Sequence, residues 1–288
     1  MRLPRYTDGP VDGPSTLLVH GLSSIASSWW RVAAHLAERG RRVTAVDLRG
    51  HGEADRADSY RITDYAADLL GVQPDRGGPW DLVVAHSLGG TSSLRAAAED
   101  TSWTSRLVLV DPVLAPDARG LARIRAGILR DVEHATAESV RAGHPRWHER
   151  DVAAKMAAME HVEAATVVAS TDDLSEWQVA DRLRSLPLPT LLIAADPELG
   201  GLLPPQLAES LAAVNPRVEA VTVPGSGHNI HRDDPEAFLR ILDGFLQTPN
   251  PPVGPATGSG PDRTAAAAQP TGTGPPTTLR SAPKYPSR

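Results

Sequence analysis

Asp81-Leu-Val-Val-Ala-His-Ser-Leu-Gly-Gly90 decides the fold. Leu82 to Ala85 form a short apolar run of the kind found in strands buried on both faces, and it leads directly to Ser87. Ala85 stands two residues before this serine and Gly89 two after, so backbones can approach closely on either side. A strand that turns sharply into a helix lifts one hydroxyl clear of the sheet. The same turn sets the Leu88 N–H at the start of a helix predicted over 88–99, where unpaired donors face a developing negative charge.

Outward from this elbow, strands and helices alternate. Thr16 to His20 reads as a buried strand, 29–39 as a helix closed by Gly40, and Arg42 to Leu48 as a second strand. A helix at 62–70 precedes the elbow strand, and Ser105 to Asp111 forms the next strand, stopped by Pro112. This alternation indicates a parallel sheet with right-handed crossovers. Residues 113–186 interrupt it with helical stretches only, at about 117–132, 135–142, 148–163 and 173–185, and read as an inserted helical lid. Thr190 to Ala195 returns to strand, followed by a helix at 204–214, a strand at 218–223 and a last helix from Asp233 to about Leu246. The expected organisation is a core of 1–112 and 187–247, the lid of 113–186, and a tail. From Thr248 onward, ten prolines and five glycines leave too few large apolar groups to offset chain entropy, so 248–288 is expected to be disordered.

The composition of the 288 residues, 41% hydrophobic and 22% charged, suits one or two ordinary globular domains with ample material for a core. The net charge of −6 becomes about −9 without the last 41 residues, which hold four basic residues and one acidic. Nucleic acid and anionic membranes are therefore not expected partners. No cysteine is present, so disulfides and thiol nucleophiles are excluded. The N-terminal stretch has Arg2 and Arg5 but no apolar segment after them, and no run approaches a bilayer span, so a cytoplasmic protein with a small-molecule substrate is expected. Neither metal nor cofactor is called for; His144 and His148 have i, i+4 spacing, but Pro145 breaks the helix between them.

Ser87, Asp196 and His228 each follow the C-terminal end of a predicted parallel strand, where open α/β sheets bind ligands. With His20-Gly21, Asp47-Leu-Arg-Gly-His-Gly52, Ala-His-Ser-Leu-Gly89 and Gly227-His228, this order resembles the α/β-hydrolase superfamily over roughly residues 14–247. The resemblance implies a mostly parallel sheet flanked by helices, with the initial hairpin reduced because only about 14 residues precede the first motif strand. It also implies Ser87 as nucleophile, His228 as base, Asp196 as the acid orienting it, and the N–H groups of Leu22 and Leu88 as an oxyanion hole. Asp111 is the alternative acid, since it too ends a strand before a proline and some members of the superfamily place the acid there. His231, three residues beyond His228, is its rival and is expected at the surface or beside the site, while His20, His51 and His86 are expected to be structural. Trp29, Trp147, Met156, Met159 and Trp177 are candidate pocket residues.

The resulting expectation is a serine hydrolase that cleaves a modest ester, thioester or related carbonyl substrate through an acyl-enzyme. Ser at the elbow excludes the carboxylate nucleophile of haloalkane dehalogenases and epoxide hydrolases, and the elbow lacks the pattern of proline iminopeptidases. Carbon–carbon or lyase chemistry on the same triad, and an idle binding module that keeps the pocket, are the alternatives.

Overall fold

The computed structural model describes Met1–Thr248; the tail expectation lies outside these residues. Seven strands form one sheet: β1 (Arg5–Asp8), β2 (Ser15–Val19), β3 (Arg42–Val46), β4 (Leu82–His86), β5 (Leu107–Val110), β6 (Thr190–Ala195) and β7 (Val218–Val223). Their spatial order is β1-β3-β2-β4-β5-β6-β7, with every pairing parallel except β1 with β3. The expected hairpin is reduced to the four-residue β1, which pairs with β3 and not with its chain neighbour β2.

Among the described residues, ten α-helices accompany the strands. The core carries α1 (Trp30–Glu38), α2 (Ile62–Leu70) and α3 (Ser87–Glu99) before β5, and α8 (Pro205–Val214), α9 (Ile230–Asp233) and α10 (Pro235–Gln247) after β6. Between β5 and β6 lie α4 (Ala118–His134), α5 (Ala137–Gly143), α6 (Glu149–His161) and α7 (Ala164–Ser170), with short 3₁₀ turns at Leu174–Trp177 and Ala180–Arg184. No helix among the described residues is long and apolar enough to cross a membrane.

The central strands β4, β5 and β6 are buried along their whole length, which is why they read as continuous apolar runs. One apolar core extends from the sheet into the inserted helices: Leu17, Val83 and Leu109 share it with Leu121, Val167 and Trp177. Polar ties hold the insertion down as well. Trp30 Nε1 donates to Asp151 Oδ1 at 2.8 Å, Thr63 N donates to Glu176 Oε2 at 2.9 Å, and Trp147 Nε1 donates to Asp233 Oδ1 at 2.6 Å.

Candidate active site

Ser87 is the first residue of α3, directly after β4, and its φ is +52°, in the left-handed region that side chains seldom occupy. The turn is held by close packing. A Cβ on Gly89 would lie 2.3 Å from the carbonyl oxygen of His20, so α3 starts against the end of β2 only because residue 89 has no side chain. A Cβ on Gly21 would stand 2.9 Å from both Ser87 Cβ and His86 Nδ1, so the 21–24 loop also passes directly over the elbow.

The Asp47-to-Gly52 motif holds that loop in place. His20 Nδ1 donates to Gly21 O at 2.7 Å, and its Nε2 accepts from Leu48 N at 3.0 Å. His51 Nδ1 donates to Arg49 O at 2.9 Å, and its Nε2 accepts from Ser23 N at 3.1 Å. Asp47 Oδ1 accepts from Ala26 N at 2.7 Å. Both imidazoles must stay neutral to accept, and burial pushes His20 down to about 4 and His51 down to about 3. Ser23, at the centre of the loop, has a φ of +56°.

His228 follows β7, and its Nδ1 donates to Asp111 Oδ2 at 2.7 Å. Asp111 is completely buried just past β5, with a φ of +42°. Its carboxylate also accepts from three backbone amides: Ala195 N at 3.1 Å and Leu203 N at 3.0 Å on Oδ1, and Leu202 N at 2.8 Å on Oδ2. Four donors make burial of this charge tolerable and fix its direction. The pairing corrects the expectation for Asp196. That carboxylate accepts from Glu198 N at 3.0 Å and Gly225 N at 2.9 Å, and it caps the 3₁₀ turn Pro197–Leu199. Asp196 is thus a loop-capping group.

Behind His228, His86 Nε2 donates to the His228 carbonyl at 2.9 Å, and the two rings lie 4.5 Å apart. His231 is buried and stacks on Trp29 at 4.3 Å. Burial and the neighbouring positive groups push both His86 and His231 well below the usual histidine range, so both act as neutral supports.

Ser87 and His228 open together onto a cavity of about 230 Å³, between the 22–24 loop and the inserted helices. Trp147 and Trp177 line it, whereas Trp29, Met156 and Met159 do not. Trp29 is enclosed in the core against His231 and Phe238, Met156 packs with Val140, Trp147 and Val152, and Met159 joins the main core. His144 also faces the cavity, as do Lys155 and Arg232, which were not singled out in the sequence.

The model of a protein family described as the alpha/beta hydrolase family matches residues 16–241. This chain belongs to that family. Among curated α/β hydrolase relatives, it is 27% identical to N-formylmaleamate deformylase of Pseudomonas putida, over 82% of this chain and 90% of the relative. It is 29% identical to the putative carbamate hydrolase RutD of Variovorax paradoxus, over 89% of this chain and all of the relative. The crystal structure of E-2-(acetamidomethylene)succinate hydrolase shares the fold, with a TM-score of 0.71 at 21% identity, covering 85% of this chain and 95% of that one.

Proposed function

We propose that the protein is a serine hydrolase that cleaves a small ester or amide-type acyl compound through an acyl-enzyme, with Ser87, His228 and Asp111 as its triad. The observation that carries this reading is the His228–Asp111 hydrogen bond at 2.7 Å, in the same cavity wall as a serine on a left-handed elbow. His228 Nδ1–H is committed to Asp111, so Nε2 is the nitrogen left to take the Ser87 proton. Ser87 Oγ then attacks the carbonyl carbon, and the oxyanion is held by the N–H groups of Leu22 and Leu88. His228 returns the proton to the leaving oxygen or nitrogen as that bond breaks. Water, deprotonated by the same imidazole, releases the acid and restores Ser87.

The cavity volume suits a compact substrate, since drug-sized ligands occupy roughly 300–1,000 Å³. Relatives named as a deformylase and a carbamate hydrolase support including carbon–nitrogen bonds beside esters. The inserted helices serve as the lid of the site, with Trp147 and Trp177 as its apolar wall.

The test is turnover of 4-nitrophenyl acetate, read together with intact mass after fluorophosphonate treatment. The wild type should turn over and gain one adduct; Ser87→Ala should lose at least about 10⁴-fold in kcat and gain none. Undiminished activity in Ser87→Ala would refute the nucleophile assignment.

A further inference from the structure

Arg232 lies on α9, four residues after His228, and is only 4% exposed. Arg232 lines the cavity and contacts two other residues that line it. Nη2 donates to Ser24 Oγ at 2.9 Å, on the loop that carries the Leu22 N–H, and Cζ sits 4.8 Å from the ring centre of Trp147 on the inserted segment. Nε has no hydrogen-bond partner, and no carboxylate among the described residues lies within ion-pair distance of this group.

The nearest acids are already engaged. Asp151 accepts from Trp30 Nε1 and from His148 N, and Asp233 accepts from Trp147 Nε1. Across the cavity, Asp131 is paired with Lys155 at 2.9 Å. Arg123, Lys155 and Arg232 therefore face the cavity against one acid, and burial holds His144 below the usual histidine range, leaving it neutral. Burial draws Arg232 down only to about 10, so it remains cationic near neutral pH. A buried cation without a counter-ion is costly unless an anion completes it.

We infer that Arg232 is the recognition site for a carboxylate carried by the substrate, a few atoms from the carbonyl that Ser87 attacks. A guanidinium pairs with a carboxylate through charge-assisted hydrogen bonds, and the Ser24 contact ties it to the loop bearing the proposed oxyanion donor. The substrate class is therefore the half-ester or half-amide of a short dicarboxylic acid. The inference deepens the hydrolase reading and rests on it for the position of the carbonyl, but the binding it predicts needs no catalysis.

Calorimetric titration of the Ser87→Ala protein with glutarate, with neutral glutaramide and with inorganic phosphate tests it. Glutarate should bind at least about tenfold more tightly than glutaramide, the value of one hydrogen-bonded charge pair. Arg232→Gln should erase that preference, and Arg232→Lys should keep part of it. In the active protein, monomethyl glutarate should exceed methyl pentanoate in kcat/KM by a similar factor, which Arg232→Gln abolishes.

Equal binding of glutarate and glutaramide overturns the inference. So does a preference that survives Arg232→Gln, or phosphate binding more tightly than glutarate. If Arg232 were only a strut between the 24 loop and Trp147, Arg232→Gln would weaken both organic ligands alike and leave their ratio intact. A wild type that binds glutarate selectively but takes up no fluorophosphonate would instead refute the hydrolase reading and leave this one standing.

Discussion

Three residues outside glycine have positive φ among the described residues: Ser23, Ser87 and Asp111. All three belong to the proposed catalytic assembly, where backbone strain is tolerated because the surroundings fix it. Gly21 packs directly against the elbow. Gly21→Ala places a methyl 2.9 Å from Ser87 Cβ and His86 Nδ1, neither of which is the free end of a flexible chain. The loop must move, and kcat should fall by about 10²-fold while the thermal midpoint changes by only a few degrees, as steady-state kinetics and a melting curve would show. Ser87 and His228, which line one cavity, stood out because their signatures are local: small flanking residues for one, a Gly-His after a strand for the other. The hydrogen-bond partner of His228 did not. Asp111 and Asp196 both end an apolar strand and both precede proline. They differ in what distant segments bring to them, namely the 202–203 amides and His228 to one and Gly225 to the other. One local signal did separate them: Asp196-Pro197-Glu198 is the capping pattern of an aspartate before an N1 proline and an acidic first turn.

At the level of elements, the fold was readable wherever burial is continuous. β6 and β7 have the predicted limits, and β4 and β5 differ from theirs by only one or two residues at an end. The same holds for α2, α3 and α8; Gly71 closes α2 and Pro205 opens α8. β1, expected only as a reduced hairpin, could not be placed because Arg5–Asp8 is an edge strand with half its residues exposed and carries no apolar run to notice. The pocket was read less well than the sheet. Tryptophans and methionines in the insertion look alike in sequence whether they face a cavity or a core, and only Trp147 and Trp177 of the five candidates line the site. Arg232 sits in a run, His-Asn-Ile-His-Arg-Asp-Asp, that reads as polar surface, yet Ile230, His231 and Arg232 are all buried by α10 and the insertion. No local pattern announces a charge that tertiary packing has enclosed.

For the molecule as a whole, the buried histidines make stability depend on pH. His20 and His51 are held neutral at about 4 and about 3, below the unfolded value near 6.5. The unfolded chain therefore takes up protons first. The stability from these rings is complete above about pH 6.5 and is lost as pH falls toward their folded values. By pH 5 each has forfeited about 2 kcal/mol, and His86, His144 and His231 act in the same direction. A typical domain has only about 5–15 kcal/mol in total, so urea midpoints should drop steeply between pH 7 and pH 5, before carboxylates titrate. His51→Gln, which can still accept from Ser23 N, should flatten that slope. A midpoint constant over the same range would contradict neutral histidines in the loop.

The central claim is that Asp111, and not Asp196, orients His228. The most direct measurement compares kcat for 4-nitrophenyl acetate in Asp111→Asn and Asp196→Asn. An asparagine at 111 favours the wrong imidazole tautomer and should cost about 10³- to 10⁴-fold, while Asp196→Asn should stay within about tenfold of wild type because it loses only loop caps. A large loss in Asp196→Asn, with Asp111→Asn near wild-type activity, would contradict the account.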